Sequence, residues 1–145
     1  MRRTLLAAAL LAGLTRAAPA QTAADTAAIV ATAHDYIDGW WSGDAARMAR
    51  ALHTHLAKRM VMSDSLGQHS RLSDMTSAEL VENFQRGGGR HTPAAQRRND
   101  VRILDVYRGA AVVRVDAGAW VDFLQLARWN GEWKIVNVLW ELAPR

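Results

Sequence analysis

The chain has 145 residues, of which half are apolar and 22% are charged, and it contains no cysteine. This length suits one domain rather than two, and the composition is that of a globular protein, neither disordered nor fibrous. Without cysteine, disulfide bonds, thiolate metal sites and a cysteine nucleophile are all excluded.

The beginning of the chain has the pattern of a secretory leader. A basic Arg2-Arg3 start precedes an apolar run at 5–14, which is too short to span a bilayer, and a small-residue cleavage motif lies at 18–20. We therefore predict a signal peptide at 1–20 and a single domain at 21–145. The protein is expected to be exported, periplasmic or secreted, and free of the membrane once the leader is removed.

The leader also explains most of the apparent basic charge. The full chain has 18 basic and 14 acidic residues, and three of the basic ones are leader arginines, so the mature chain is close to neutral. A nucleic-acid-binding protein would need a clear basic surplus. We expect no nucleic-acid partner.

Helical patterns dominate the first part of the mature chain. Apolar residues at helical spacing predict a first helix over 25–41, and Asp44 is a typical cap for a second helix that runs to about His53. Thr76 and Glu79 form a capping box at the start of a third helix over about 77–86.

Strand patterns follow. One strand is predicted at 57–63, with Met60 and Met62 on one face, and a return strand around 69–72. From Val101 to Leu142 the apolar period is two, which is typical of strands. The order of elements predicts an α+β domain with helices packed on one side of an antiparallel sheet.

The last two strands decide the architecture. Asn130-Gly131 is a two-residue hairpin signal that sets the register of both strands. One predicted face carries Leu124, Leu126, Trp133, Ile135 and Leu139 with Asp122 and Asn137. The other carries Val121, Phe123, Val136, Val138 and Trp140 with Gln125 and Lys134. Because both faces are apolar, helices should cover one and a second copy of the chain the other. This predicts a homodimer through the sheet.

Three segments together resemble a known family. They are Tyr36-Ile37-Asp38-Gly39-Trp40 with Gly43-Asp44, then Ala51-Leu52-His53 with Leu56-Ala57-Lys58-Arg59, and finally Leu124–Leu126 with Asn130–Asn137 and Trp140. The pattern is similar to the nuclear transport factor 2-like superfamily (SnoaL-like), in the branch called "putative lumazine-binding". The resemblance implies a cone-shaped, cystatin-like fold with a pocket at its wide end. Such relatives include ketosteroid isomerases, polyketide cyclases, scytalone dehydratase and non-catalytic binding or dimerisation domains.

Candidate ligand-binding residues follow from this expected pocket. Tyr36 and Trp40 lie on the inward face of the first helix, and each has a polar group on an apolar body. Core packing explains both residues equally well. Further candidates are Met60, Met62, Gln125 and Asn137.

A catalytic alternative rests on one carboxylate. Asp122 interrupts an apolar strand, and a carboxylate in an apolar pocket could act as a general acid or base, with Tyr36 and His53 as partners. The opposing interpretation places Asp122 at a strand edge in water. No metal site is expected, since His53 and His55 supply only two ligands, and no cofactor is expected.

The sequence therefore favours an exported domain that binds a small apolar or aromatic molecule. The alternatives are a cofactor-free isomerase, dehydratase or cyclase, and a non-catalytic association domain.

Overall fold

The computed structural model describes residues 22–144, so the predicted leader at 1–20 lies outside the described residues. The described part contains three α-helices and a six-stranded sheet, which confirms the α+β class. In chain order the elements are α1 (Ala23–Ser42), α2 (Ala45–Ala51), β1 (Leu52–Ser63), β2 (Ser70–Thr76), α3 (Ser77–Gln85), a short 3-10 helix (Ala94–Gln96), β3 (Asp100–Tyr107), β4 (Ala110–Asp116), β5 (Trp120–Trp129) and β6 (Glu132–Leu142). Within residues 22–144, no helix combines the length and the apolar character needed to cross a membrane.

The helix ends follow the local sequence. The Asp44 side chain accepts a hydrogen bond from the backbone of Arg47 and caps α2, and the Thr76–Glu79 capping box is present at α3. The predicted second helix was too long, because the backbone becomes extended at Leu52, where β1 begins.

The sheet is mixed rather than wholly antiparallel. Its strand order is β2-β1-β6-β5-β4-β3, and every neighbouring pair is antiparallel except β1 with β6, which run parallel. Strand β1 therefore enters the sheet beside the last strand of the chain. This pairing brings the middle of β1 close to β5 and β6, which follow it by more than sixty residues.

A bulge in β6 changes the predicted faces of the last hairpin. The Asn130-Gly131 turn sets the predicted register as far as Leu126 opposite Ile135, but Gln125 then pairs with Asn137 and skips Val136. An extra residue in a strand reverses the side-chain alternation beyond it.

Four residues of β6 therefore lie on the face opposite to the predicted one. Trp140 lies opposite Asp122 on the side that the helices cover, together with Val138, whereas Asn137 lies with Gln125 on the outer side. Leu139, predicted to face inward, is 55% exposed and lies opposite Phe123.

The helices cover one side of the sheet. Helix α1 contacts β3, β4 and β6, and α3 contacts β1 and β2. The fully buried core includes Ile29 and Ile37 of α1, Phe84 of α3 and Leu124 of β5. The outer side of the sheet has no covering element among the described residues.

Candidate functional site

A partly enclosed cavity of about 270 Å³ lies between the helices and the inner side of the sheet. Its walls come from all three helices and from strands β1, β2, β5 and β6. Most of the lining is apolar. The lining residues are Tyr36, Ile37, Trp40, Met48, Lys58, Met75, Leu80, Asn83, Trp120, Trp140 and Leu142.

Lys58 is the one charged side chain among these lining residues. Its Nζ donates to Asp122 Oδ1 at 2.5 Å and to Tyr36 Oη at 2.7 Å. It also lies 4.9 Å from the centre of the Trp140 ring and 5.5 Å from that of Tyr36, within the range of cation–π attraction. The ammonium group thus joins the apolar cavity to a buried polar cluster.

Asp122 lies beneath this amine and is fully buried. Its second oxygen, Oδ2, accepts a hydrogen bond from Trp120 Nε1 at 2.8 Å. Both carboxylate oxygens therefore have partners, which compensates the burial of the charge. Asp122 does not itself line the cavity.

Burial shifts the pKa of Lys58 and of Tyr36 in this cluster. The loss of water lowers the pKa of Lys58 from its ordinary value of 10.5, while the charge of Asp122 acts in the opposite direction. Burial raises the pKa of Tyr36 well above 10.0, and the neighbouring Asp122 carboxylate raises it further. Tyr36 is therefore a neutral phenol at neutral pH.

Aromatic rings form the rest of the wall. The Trp40 ring packs edge-on against Phe84 at 5.0 Å and against Trp120 at 5.9 Å. The backbone N–H of Gly89 donates a hydrogen bond to the Trp40 carbonyl oxygen at 3.1 Å. A Cβ on Gly89 would lie 2.5 Å from the Trp40 Nε1 atom, so only glycine fits there without displacing the ring.

Some of the predicted site residues line the cavity, and others lie away from it. Tyr36 and Trp40 line the cavity. Asp122 is linked to Tyr36 by Lys58, whose amine donates a hydrogen bond to each of them. Met60 lies on the same side of β1 as Lys58 but does not line the cavity, and Met62 is 39% exposed beside the β1–β2 turn.

Three other predicted residues lie away from the cavity. Asn137 Nδ2 donates to Gln125 Oε1 at 3.0 Å across the outer side of the sheet, where the bulge places both amides. His53 packs against His55 and Trp129 near the opposite end of β1. The structure does not bring His53 to Asp122 or Tyr36.

Sequence reasoning missed Lys58, Trp120 and Trp140. Lys58 did leave a signal, because it shares an alternating strand face with Leu56 and Met60, where a charged residue is out of place. The position of Trp140 had no such signal, since it depends on the bulge.

The residues that line the cavity include no carboxylate. The Asp122 carboxylate lies outside this lining, and both of its oxygens are hydrogen-bonded, so it is not free to take a proton directly from a ligand. Among residues 22–144, no group of three or more His, Asp or Glu side chains could hold a metal ion.

A family model described as "Putative lumazine-binding" matches residues 24–141. The chain belongs to this family. Among curated proteins, none matches the sequence significantly.

Solved structures share the fold at low sequence identity. A nuclear transport factor 2-like protein of unknown function from Shewanella baltica has a TM-score of 0.64 and 19% identity, with 84% of this chain and 96% of that chain covered. A domain of unknown function with a cystatin-like fold from Nostoc punctiforme has a TM-score of 0.54 and 15% identity, over 86% and 80% of the two chains. A "putative Ca/calmodulin-dependent kinase II association domain" from Exiguobacterium sibiricum has a TM-score of 0.58 and 9% identity, over 86% and 97%. These likenesses confirm the nuclear transport factor 2-like, cystatin-like fold of this chain.

Proposed function

We propose that this protein binds a small apolar or aromatic molecule in the cavity beside Lys58. The observation that carries the proposal is the lining itself, in which three tryptophan rings and aliphatic side chains surround one buried amine. Small-molecule sites are typically concave, apolar and supplied with a few fixed polar groups. The volume of about 270 Å³ suits a molecule of one or two rings.

The polar groups of the lining favour a ligand with few polar atoms. Tyr36 is already bonded to Lys58, and the Asn83 side-chain amide donates to the Met75 sulfur at 3.6 Å. A pteridine such as lumazine carries two carbonyl groups and several ring nitrogens, which this lining would leave mostly unpaired. The family description alone therefore does not define the ligand.

Calorimetric titration with naphthalenemethanol, a neutral two-ring alcohol, tests the proposal. We expect saturable binding that weakens strongly in Trp140→Ala, because that ring forms a wall of the cavity. Leu139→Ala is the matched control, since this neighbouring side chain points to the outer side and should leave the affinity unchanged. Equal binding to both variants, or no binding to the unmodified protein, would contradict the proposal.

We also propose that the outer side of the sheet associates with a second copy of the chain. Phe123 and Leu139 lie opposite each other there and are 41% and 55% exposed, and the paired Val61 and Leu72 are exposed beside them on the neighbouring strands. Exposed apolar patches of this kind often mark interfaces. The likeness to a protein described as an association domain supports this proposal.

Light scattering after size exclusion tests the association. We expect twice the chain mass for the unmodified protein and the chain mass for Phe123→Asp, because a charge at the centre of an apolar contact is costly to desolvate. A single-chain mass for the unmodified protein at micromolar concentration would contradict the dimer.

Export remains a further proposal. It is supported by the leader pattern at 1–20, and the mature chain is expected to begin after Ala20. N-terminal sequencing of the protein from an extracellular or periplasmic fraction tests it.

A further inference from the structure

The amine of Lys58 has unusual surroundings for a lysine. Its side chain is only 7% exposed, it lines an apolar cavity, and it contacts a carboxylate and a phenol. An ammonium group has three N–H donors, and two of them bond to Asp122 and Tyr36. Among the hydrogen bonds of residues 22–144, the third N–H has no acceptor, and the nitrogen lies over the ring of Trp140.

We propose that Lys58 forms a Schiff base with an aldehyde or ketone group of the molecule bound in this cavity. The inference rests on the proposed ligand-binding function and names the chemical class of the ligand: an apolar or aromatic carbonyl compound. Lysine amines held in apolar pockets are suited to this reaction, because the neutral amine is the nucleophile. Burial, which lowers the pKa of Lys58, favours that form.

Asp122 is placed to move the protons of this reaction. Its Oδ1 atom, 2.5 Å from Nζ, takes one proton from the ammonium, and the freed electron pair of nitrogen attacks the carbonyl carbon. A second proton moves from nitrogen to the carbonyl oxygen, which gives the carbinolamine. The C–O bond then breaks, and the oxygen leaves as water with the proton that Asp122 returns. The product is an iminium, and one water is released for each carbonyl consumed.

The charge balance of the site favours this product over others. An iminium carries the same single positive charge as the ammonium it replaces, so Asp122 keeps its partner throughout. A ligand carboxylate would instead add a second negative charge to a lining whose one charged side chain is already paired. The apolar walls also favour the loss of water, because they solvate it poorly.

The chain offers a clean experiment, because Lys58 and Lys134 are its two lysines. Lys134 is the matched control, since its Nζ donates to the Arg50 carbonyl oxygen and pairs with Glu132 outside the cavity. The protein is incubated with naphthaldehyde and sodium cyanoborohydride, which reduces an imine to a stable amine. Intact mass and peptide mapping then locate the naphthylmethyl group.

We expect the adduct at Lys58 to form at least about tenfold faster than at Lys134, because the cavity holds the aldehyde beside the Lys58 amine at an effective concentration far above that in solution. Prior addition of naphthalenemethanol should slow labelling of Lys58 and leave Lys134 unchanged. Lys58→Arg, which keeps the charge beside Asp122, should lose the fast phase, and circular dichroism checks that this variant is folded.

Labelling of Lys134 at a rate equal to or above that of Lys58 would overturn the Schiff base. If naphthalenemethanol binds while Lys58 stays unlabelled, the cavity binds ligands and only the covalent inference fails. If the alcohol does not bind and Lys58 is not labelled selectively, the proposed function fails with it.

Discussion

Two neighbouring residues of β1 make the same contact in opposite surroundings. Lys58 and Arg59 each lie 2.5 Å from an aspartate oxygen, but they point to opposite sides of the sheet. On the inner side, Lys58 and Asp122 are 7% and 0% exposed, whereas Arg59 and Asp74 on the outer side are 45% and 60% exposed.

The difference lies in the surroundings rather than in the distance. Water and salt screen the outer pair, so its contribution to stability is small. The inner pair has lost its water, so each charge depends on its partner and on one further hydrogen bond: Lys58 donates to the Tyr36 hydroxyl, and Asp122 accepts from Trp120. A buried pair is a poor source of stability, which is why its place on a cavity wall points to binding or chemistry.

Removing one inner charge should have the largest effect. Asp122→Ala leaves the Lys58 ammonium uncompensated and should lower the free energy of unfolding by about 3–5 kcal/mol. Urea denaturation followed by circular dichroism measures this value. A loss below about 1 kcal/mol, the range of exposed pairs, would show that water reaches the site and that the two pairs do not differ.

Replacing both inner charges separates stability from function. Lys58→Met combined with Asp122→Leu should recover most of the lost stability, because well-packed apolar side chains can substitute for a buried pair. The same double variant should show no fast aldehyde labelling. If it is less stable than Asp122→Ala alone, the pair is needed for folding.

The phenol of Tyr36 should have an intermediate effect. Tyr36→Phe removes the hydroxyl that accepts from the Lys58 ammonium, and a hydrogen bond to a charged group is worth about 1.5–3 kcal/mol. Urea denaturation measures the loss, with Tyr107→Phe as the control at a position 69% exposed. Equal free energies of unfolding for the two variants would contradict a stabilising hydrogen bond between Lys58 and Tyr36.

The same phenol predicts a pH dependence. Folding raises the pKa of Tyr36 above its ordinary 10.0, so the unfolded chain releases this proton first as the pH rises. The contribution of Tyr36 to stability is therefore complete below pH 10 and decreases above it. The ultraviolet absorbance of ionised tyrosine is followed against pH in the unmodified protein and in Tyr36→Phe. The difference between the two titration curves reports Tyr36 alone. A difference signal complete by pH 10 would contradict its burial.

The outer pair should have the smallest effect. Asp74→Ala should change the free energy of unfolding by about 0–1 kcal/mol, and added salt should reduce the change further. Urea denaturation at low and high salt measures both effects. A loss as large as that of Asp122→Ala would remove the distinction between the two sides.

Local sequence was enough for the parts of the fold that depend on local contacts. The Asp44 cap and the Thr76–Glu79 capping box each need only a few consecutive residues, and the Asn130-Gly131 turn needs two residues with positive φ. All were predicted correctly. The inward positions of Tyr36 and Trp40 followed from the helical period alone.

The remainder of the site required the tertiary structure. The bulge at Val136 leaves no sequence pattern, yet it turns Trp140 toward the cavity and moves Asn137 away from Asp122. No sequence pattern indicates the parallel pairing of β1 with β6 either. That pairing brings Lys58 to a carboxylate 64 residues away. Caps, turns and periodic faces are set by neighbours along the chain, whereas the register of distant strands is set by the packing of the whole core. The sequence determined the caps, the turn and the inward face of α1, and the tertiary structure decided which distant residues meet at the cavity.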